Sequence, residues 1–246
     1  MRKNTIYAIV MILSSLLAAV SCSGGDTAAG FSVGDIVLTN EKHLSADEFR
    51  NYQGKAKPVA VIFSITGATE ENSARILGVA LDQSPEPVPF SAEGSPGENT
   101  AATENRLSFY GRIYDADRKF FINSNFMGDF DGCDNMKHVS PSADGDLEKE
   151  FPAFAAAKRY GDGWYLPTAA ELNSLFLALP QVSQSIAAAG GTPLSERIYW
   201  SSSQCYYMDD LELTVDFENG EISVQFKDKP ALVRAVREFR QKKHGR

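Results

Sequence analysis

Two short stretches of the chain gather the side chains most able to do chemistry. In Asp129-Phe-Asp-Gly-Cys-Asp134-Asn135, the carboxylates of Asp129, Asp131 and Asp134 supply the density of oxygen ligands that calcium takes. The bidentate glutamate that closes an EF-hand loop would fall at Ser140, and flanking helices are not evident. The stretch is therefore either a calcium site at those three acids or a solvated acidic loop. Cys133, inside it, and Cys205 are the thiols available besides Cys22. In an oxidising compartment they either pair, closing a loop of about 70 residues that contributes about 4 kcal/mol in the chain-entropy model, or stay free. The second stretch, Tyr206-Tyr207-Met-Asp209-Asp210, joins aromatic area of low entropy cost to two acids. It suits a recognition loop, and its tyrosines suit equally the covering of a core edge.

Other chemistries lack their residues. No Gly-x-Ser-x-Gly elbow, Walker loop or dinucleotide fingerprint occurs. Neither Cys-x-x-Cys nor His-Glu-x-x-His is present, and His43, His138 and His244 lie far apart, so a zinc site is not expected. The expectation is a protein that is not an enzyme and holds no cofactor other than, at most, calcium.

Across 246 residues, 43% apolar and 23% charged side chains make an ordinary globular composition, and the formal net charge is −8. An acidic chain lacks the cationic footprint that a phosphate backbone needs, so no nucleic-acid partner is expected. Arg234, Arg237, Arg240, Lys242, Lys243 and Arg246 crowd the end of the chain and read as a solvated charged terminus.

The elements that must position these residues follow from local patterns. Ser45-Ala-Asp-Glu48 has capping-box spacing and predicts a helix over 46–52. The apolar runs Pro58 to Ile65 and Arg75 to Leu81 predict two buried strands paired with each other, and Phe31 to Leu38 an earlier strand. Residues 83–106 read as a surface loop, Leu107 to Tyr114 as a strand, and 123–146 as irregular. Phe151 to Tyr160 predicts a helix, and Thr168 with Glu171 three residues on caps a further helix whose Leu172, Leu175, Phe176 and Leu179 share one face. Val182 to Ala189 predicts another. Alternation at Leu211, Leu213, Val215 and Phe217, a turn at Glu218-Asn219-Gly220, and alternation at Ile222, Val224 and Phe226 predict a β-hairpin. Leu232 to Phe239 closes the set, giving a single α+β domain over 31–239 and a basic tail over 240–246.

The amino terminus resembles a bacterial lipoprotein signal peptide. Arg2 and Lys3 precede an apolar run from Ile6 to Val20, and small residues lead to Cys22. The resemblance implies removal of residues 1–21, lipidation of Cys22, a tether over 22–30, and attachment to a membrane of the cell envelope. Loss of Arg2 and Lys3 would take the net charge from −8 to −10.

Gly163-Trp-Tyr-Leu-Pro-Thr-Ala-Ala-Glu-Leu172 is similar to the Gly-Trp-Arg-Leu-Pro-Thr-x-x-Glu-Leu signature of the bacterial family named after the C-terminal domain of the Legionella collagen-like adhesin. Gly190-Gly191, Tyr199-Trp-Ser-Ser-Ser203, Phe217 with Gly220, and Val233-Arg-Ala-Val-Arg237 follow in the family's order, although Tyr165 stands where arginine is common. The resemblance implies a C-type-lectin-like fold: an antiparallel sheet with flanking helices, its first and last strands adjacent, related to the formylglycine-generating enzymes. Trp164 and Trp200 are expected in the scaffold, and Ser201 to Ser203 at a turn. The function implied is a non-catalytic surface module that binds a glycan or a host or envelope protein through loops at Tyr206, Tyr207, Asp209 and Asp210. The alternatives are a cysteine-dependent oxidoreductase of the formylglycine-generating type using Cys133 and Cys205, and a structural envelope protein without a small ligand.

Overall fold

A computed structural model describes residues 30–67, 74–95, 97, 112–115, 120–123, 129–139, 146–194, 197–205 and 208–239. Cys22, Tyr206, Tyr207 and the tail 240–246 lie outside them. The chain enters through β1 (Ile36–Leu38) and β2 (His43–Leu44), then α1 (Ala46–Arg50). The capping box is present at its start: the Ser45 hydroxyl accepts from the Glu48 N–H, and the Glu48 carboxylate accepts from the Ser45 N–H. The long antiparallel pair β3 (Pro58–Thr66) and β4 (Arg75–Ala80) follows as expected. Next come β5 (Val88–Pro89), β6 (Arg112–Asp115), β7 (Phe120–Asn123), α2 (Gly132–His138), α3 (Leu147–Glu150), α4 (Pro152–Lys158) and β8 (Trp164–Tyr165). The remainder is α5 (Ala169–Leu177), α6 (Leu179–Ala188), β9 (Ile198–Gln204), the hairpin β10 (Leu211–Asp216) and β11 (Ile222–Phe226), β12 (Pro230–Ala231) and β13 (Val236–Phe239).

The strands form a six-stranded sheet in the order β2-β1-β3-β4-β13-β8, a five-stranded sheet in the order β7-β6-β11-β10-β9, and a small β12-β5 pair. Pairing is antiparallel except for β11 with β6. Both faces of the six-stranded sheet are buried, which explains the unbroken apolar run in β3. Val61, Phe63, Leu77 and Val79 pack with Leu172, Leu175, Val182 and Ile186 of α5 and α6 and with Leu213 and Val215 of the hairpin. On the opposite face, Ala60, Ile62 and Ile76 pack with Phe90, Phe154 and Trp200.

Four expectations are corrected. The first and last strands of the six-stranded sheet are not adjacent, because the β3–β4 pair stands between β1 and β13. Ser201 to Ser203 belong to buried β9 rather than a turn, with the Ser201 hydroxyl donating to the Leu213 carbonyl at 2.9 Å. Residues 132–138, expected to be irregular, form α2. Arg234 is fully buried instead of solvated.

The turn between β1 and β2 uses Thr39, Asn40 and Glu41. The Glu41 N–H donates to the Leu38 carbonyl at 2.8 Å, and Glu41 sits at φ 65°, the left-handed position that glycine or asparagine usually takes in a three-residue hairpin.

Candidate functional site

The three acids proposed for calcium have separate occupations. Asp129 is buried and accepts from Asn135 Nδ2 at 2.6 Å and from the Ser203 hydroxyl at 3.1 Å, and burial pushes its pKa up. Asp131 caps α2, accepting from the Asp134 N–H at 3.1 Å. Asp134 faces His138 one turn later at 3.4 Å. Among the described residues, no three His, Cys, Asp or Glu side chains are disposed to hold a metal.

Cys133, half-buried on α2, and Cys205, fully buried after β9, are free thiols, the second of the two states that the sequence left open. Burial pushes the Cys133 thiol up, with Lys137 opposing weakly, and this disfavours a nucleophilic thiolate. In the expected recognition loop, Asp209 and Asp210 are half-buried ahead of β10, and the Asp210 carbonyl accepts from the Lys227 N–H at 3.0 Å.

The motif residues build scaffold. Trp200 is fully buried, and its indole N–H donates to the Val88 carbonyl at 2.8 Å. Arg234 Nε donates to the Ala80 carbonyl at 2.9 Å, and its Nη2 donates to Leu81 and Thr192 at 2.6 and 3.0 Å. It thereby ties the end of β4 to the loop after α6. A Cβ on Gly191 would stand 2.6 Å from the Leu81 carbonyl, so only glycine allows that loop to approach.

A polar cluster that sequence reasoning missed joins five segments. Arg75, at the start of β4, donates from Nε to Glu238 at 3.1 Å and from Nη2 to Glu171 at 3.3 Å, and also bonds the Phe130 carbonyl. Tyr165 donates its hydroxyl proton to the same Glu171 oxygen at 3.1 Å. Glu171 is 3% exposed and completes the capping box of α5, accepting from the Thr168 N–H at 3.0 Å. Burial outweighs the neighbouring arginine and pushes its pKa up to about 7. Only the Thr168–Glu171 half of this cluster is local in sequence, so spacing could reveal that half alone.

Trp164, from β8, stands between two surface grooves. One, of about 380 Å³, has Glu41, Asp82, Tyr160, Trp164 and Arg237 in its lining. The Tyr160 hydroxyl donates to the Asp82 carbonyl at 2.7 Å, and the Arg237 guanidinium lies 5.2 Å from the Phe239 ring centroid. The other, of about 480 Å³, includes Cys133, Lys137, Lys158, Asp162 and Trp164. Among the described residues, neither lining includes a histidine. Aromatic surface beside fixed charges suits non-covalent recognition of a polar partner.

Known proteins resemble the chain in fold and in part of its sequence. A search of curated proteins gave no match. A solved fimbrial protein from Bacteroides ovatus ATCC 8483 superposes with a TM-score of 0.57 at 17% identity, over 85% of this chain and 49% of that one. The chain thus spans about half the length of that neighbour and shares its fold over the part aligned. Residues 137–237, from the end of α2 into β13, match the model of the Lcl C-terminal domain family.

Proposed function

We propose that the protein is a lipid-anchored, non-catalytic component of the cell envelope that acts as a surface binding or adhesion module through lectin-like loops. The supporting observation is the fold shared with a fimbrial protein over 85% of the chain. The match to the Lcl C-terminal domain agrees with it and includes most of the lining of the groove that holds Lys158, Asp162 and Trp164. Attachment is through lipid at Cys22, as the signal-peptide-like start of the chain implies; among the described residues no helix is long and apolar enough to cross a membrane. The binding surface is the Tyr206 to Asp210 segment, and its partner is a glycan or a host or envelope protein.

The test is a screen of the purified chain on glycan and matrix-protein arrays, followed by the double substitution Tyr206→Ala, Tyr207→Ala. Binding that this pair abolishes supports the reading. Blank panels overturn it in favour of a structural envelope protein. Palmitate labelling in cells, abolished by Cys22→Ser, tests the anchor, and proteolysis of intact cells shows which membrane face presents the domain.

A further inference from the structure

Gln204, Glu212 and Lys227 meet inside the protein on one side of the five-stranded sheet. Gln204 and Glu212 are direct partners across β9 and β10, so their side chains share a face. Lys227 follows β11 and is fixed by its backbone bond to Asp210. All three residues are 0% exposed. Lys227 Nζ lies 3.4 Å from Gln204 Oε1, 4.0 Å from Glu212 Oε2 and 5.3 Å from the centroid of the Phe90 ring, which itself packs against Trp200.

An ordinary buried ion pair would bring ammonium and carboxylate within hydrogen-bond distance to offset their desolvation. Here the carboxylate oxygen nearest the lysine stands back, fully buried and without a hydrogen-bond partner. Burial lowers the Lys227 pKa toward the neutral amine and raises that of Glu212 to about 8, toward the neutral acid. The site therefore sets a lysine nitrogen and a carboxyl group, each with its neutral form favoured by burial, beside a carboxamide in an aromatic, water-poor setting. A desolvated lysine amine is a nucleophile, and fixed proximity replaces the encounter of separate reactants.

We propose that Lys227 and Gln204 become joined by an isopeptide bond, with Glu212 carrying the proton. The Lys227 Nζ lone pair adds to Gln204 Cδ, forming the new C–N bond. Glu212 donates its proton to Gln204 Nε2 and recovers one from Nζ as the old C–N bond breaks and ammonia leaves. Amine and carboxamide become a secondary amide and ammonia; nothing is oxidised or reduced, and no co-reactant is consumed. The bond would tie the end of β9 to the residue after β11 across β10, a covalent staple in a protein that faces the outside.

Intact-mass spectrometry and peptide mapping of the purified full chain test this directly. The expected result is a mass lower than the processed sequence by one ammonia, with a branched peptide containing both Lys227 and Gln204. Glu212→Gln, shown to be folded by circular dichroism, is expected to keep the ammonia and to give the two residues in separate peptides. A folded wild-type chain that retains the full mass overturns the proposal whether or not any variant folds, and so does a Glu212→Gln chain that cross-links as fast as wild type.

Discussion

Replacing Glu171 by glutamine should remove a pH dependence that the wild-type fold carries. In the unfolded chain the carboxyl titrates near its ordinary value of 4.5, and in the folded protein near 7, because desolvation outweighs Arg75, Tyr165 and the Thr168 N–H. Below both values each state holds the proton and the group has no effect. Between them the folded state keeps the proton while the unfolded state has released it, so stability falls as pH rises. Above about 7 both states are ionised and the loss levels off. At about 1.4 kcal/mol per pH unit, the separation amounts to about 3 kcal/mol. Glutamine keeps the size of the side chain and the acceptor for the Thr168 N–H but does not titrate. Urea unfolding of both proteins from pH 5 to 8, with similar slopes required, isolates the effect because Glu212 and Asp129 titrate in both. The variant should gain about 2.5 kcal/mol on wild type across that range, because the first part of the loss is already complete at pH 5. Parallel curves would show that the carboxyl is not perturbed, and a variant that loses ground as pH rises would show that the ion pair to Arg75 outweighs burial.

Other substitutions probe the scaffold. Trp200→Ala removes a fully buried ring and the bond to Val88 and should cost about 4 kcal/mol in urea unfolding. Arg234→Met leaves the Ala80, Leu81 and Thr192 carbonyls without their donor and should cost about 3 kcal/mol, visible as a lowered thermal midpoint. Glu41→Gly relieves a left-handed backbone and should raise stability by about 1 kcal/mol; a loss there would show that the glutamate side chain holds the turn. With a thiol reagent, Cys133 should react in the folded protein and Cys205 only on unfolding, whereas two unreactive cysteines that appear after reduction would show the paired state instead.

What the chain's patterns reveal is what local bonds decide. Both capping boxes, the β10–β11 hairpin and the α5 stripe as far as Phe176 were legible because each involves residues a few positions apart, whereas Leu179, read with that stripe, opens α6. The lipobox-like start and the loop tyrosines lie outside the described residues. Helix α2 was not legible, since its Gly, Asp and Asn residues look like loop until Asn135 meets Asp129 and Ser202 in the interior. Arg234 looked like part of a charged tail because the carbonyls that bind it come from distant β4 and from the loop after α6. The Arg75 cluster and the Lys227 site escaped notice for the same reason: they are assembled from segments that only the sheet order brings together.

The outer strands of the six-stranded sheet, β2 and β8, are two residues long each. Strands this short offer a neighbouring copy almost no ladder on which to register, a device that keeps crowded proteins from zipping together edge to edge. At the outer side of β9 the backbone is already engaged, Ser202 N–H with Pro167 at 2.7 Å and Trp200 N–H with Leu232 at 2.9 Å. The other end of the five-stranded sheet is β7, whose paired neighbour is β6. Among the described residues, three of the four ends of the two large sheets are thus poor templates for an added strand, two by their length and one by its own bonds.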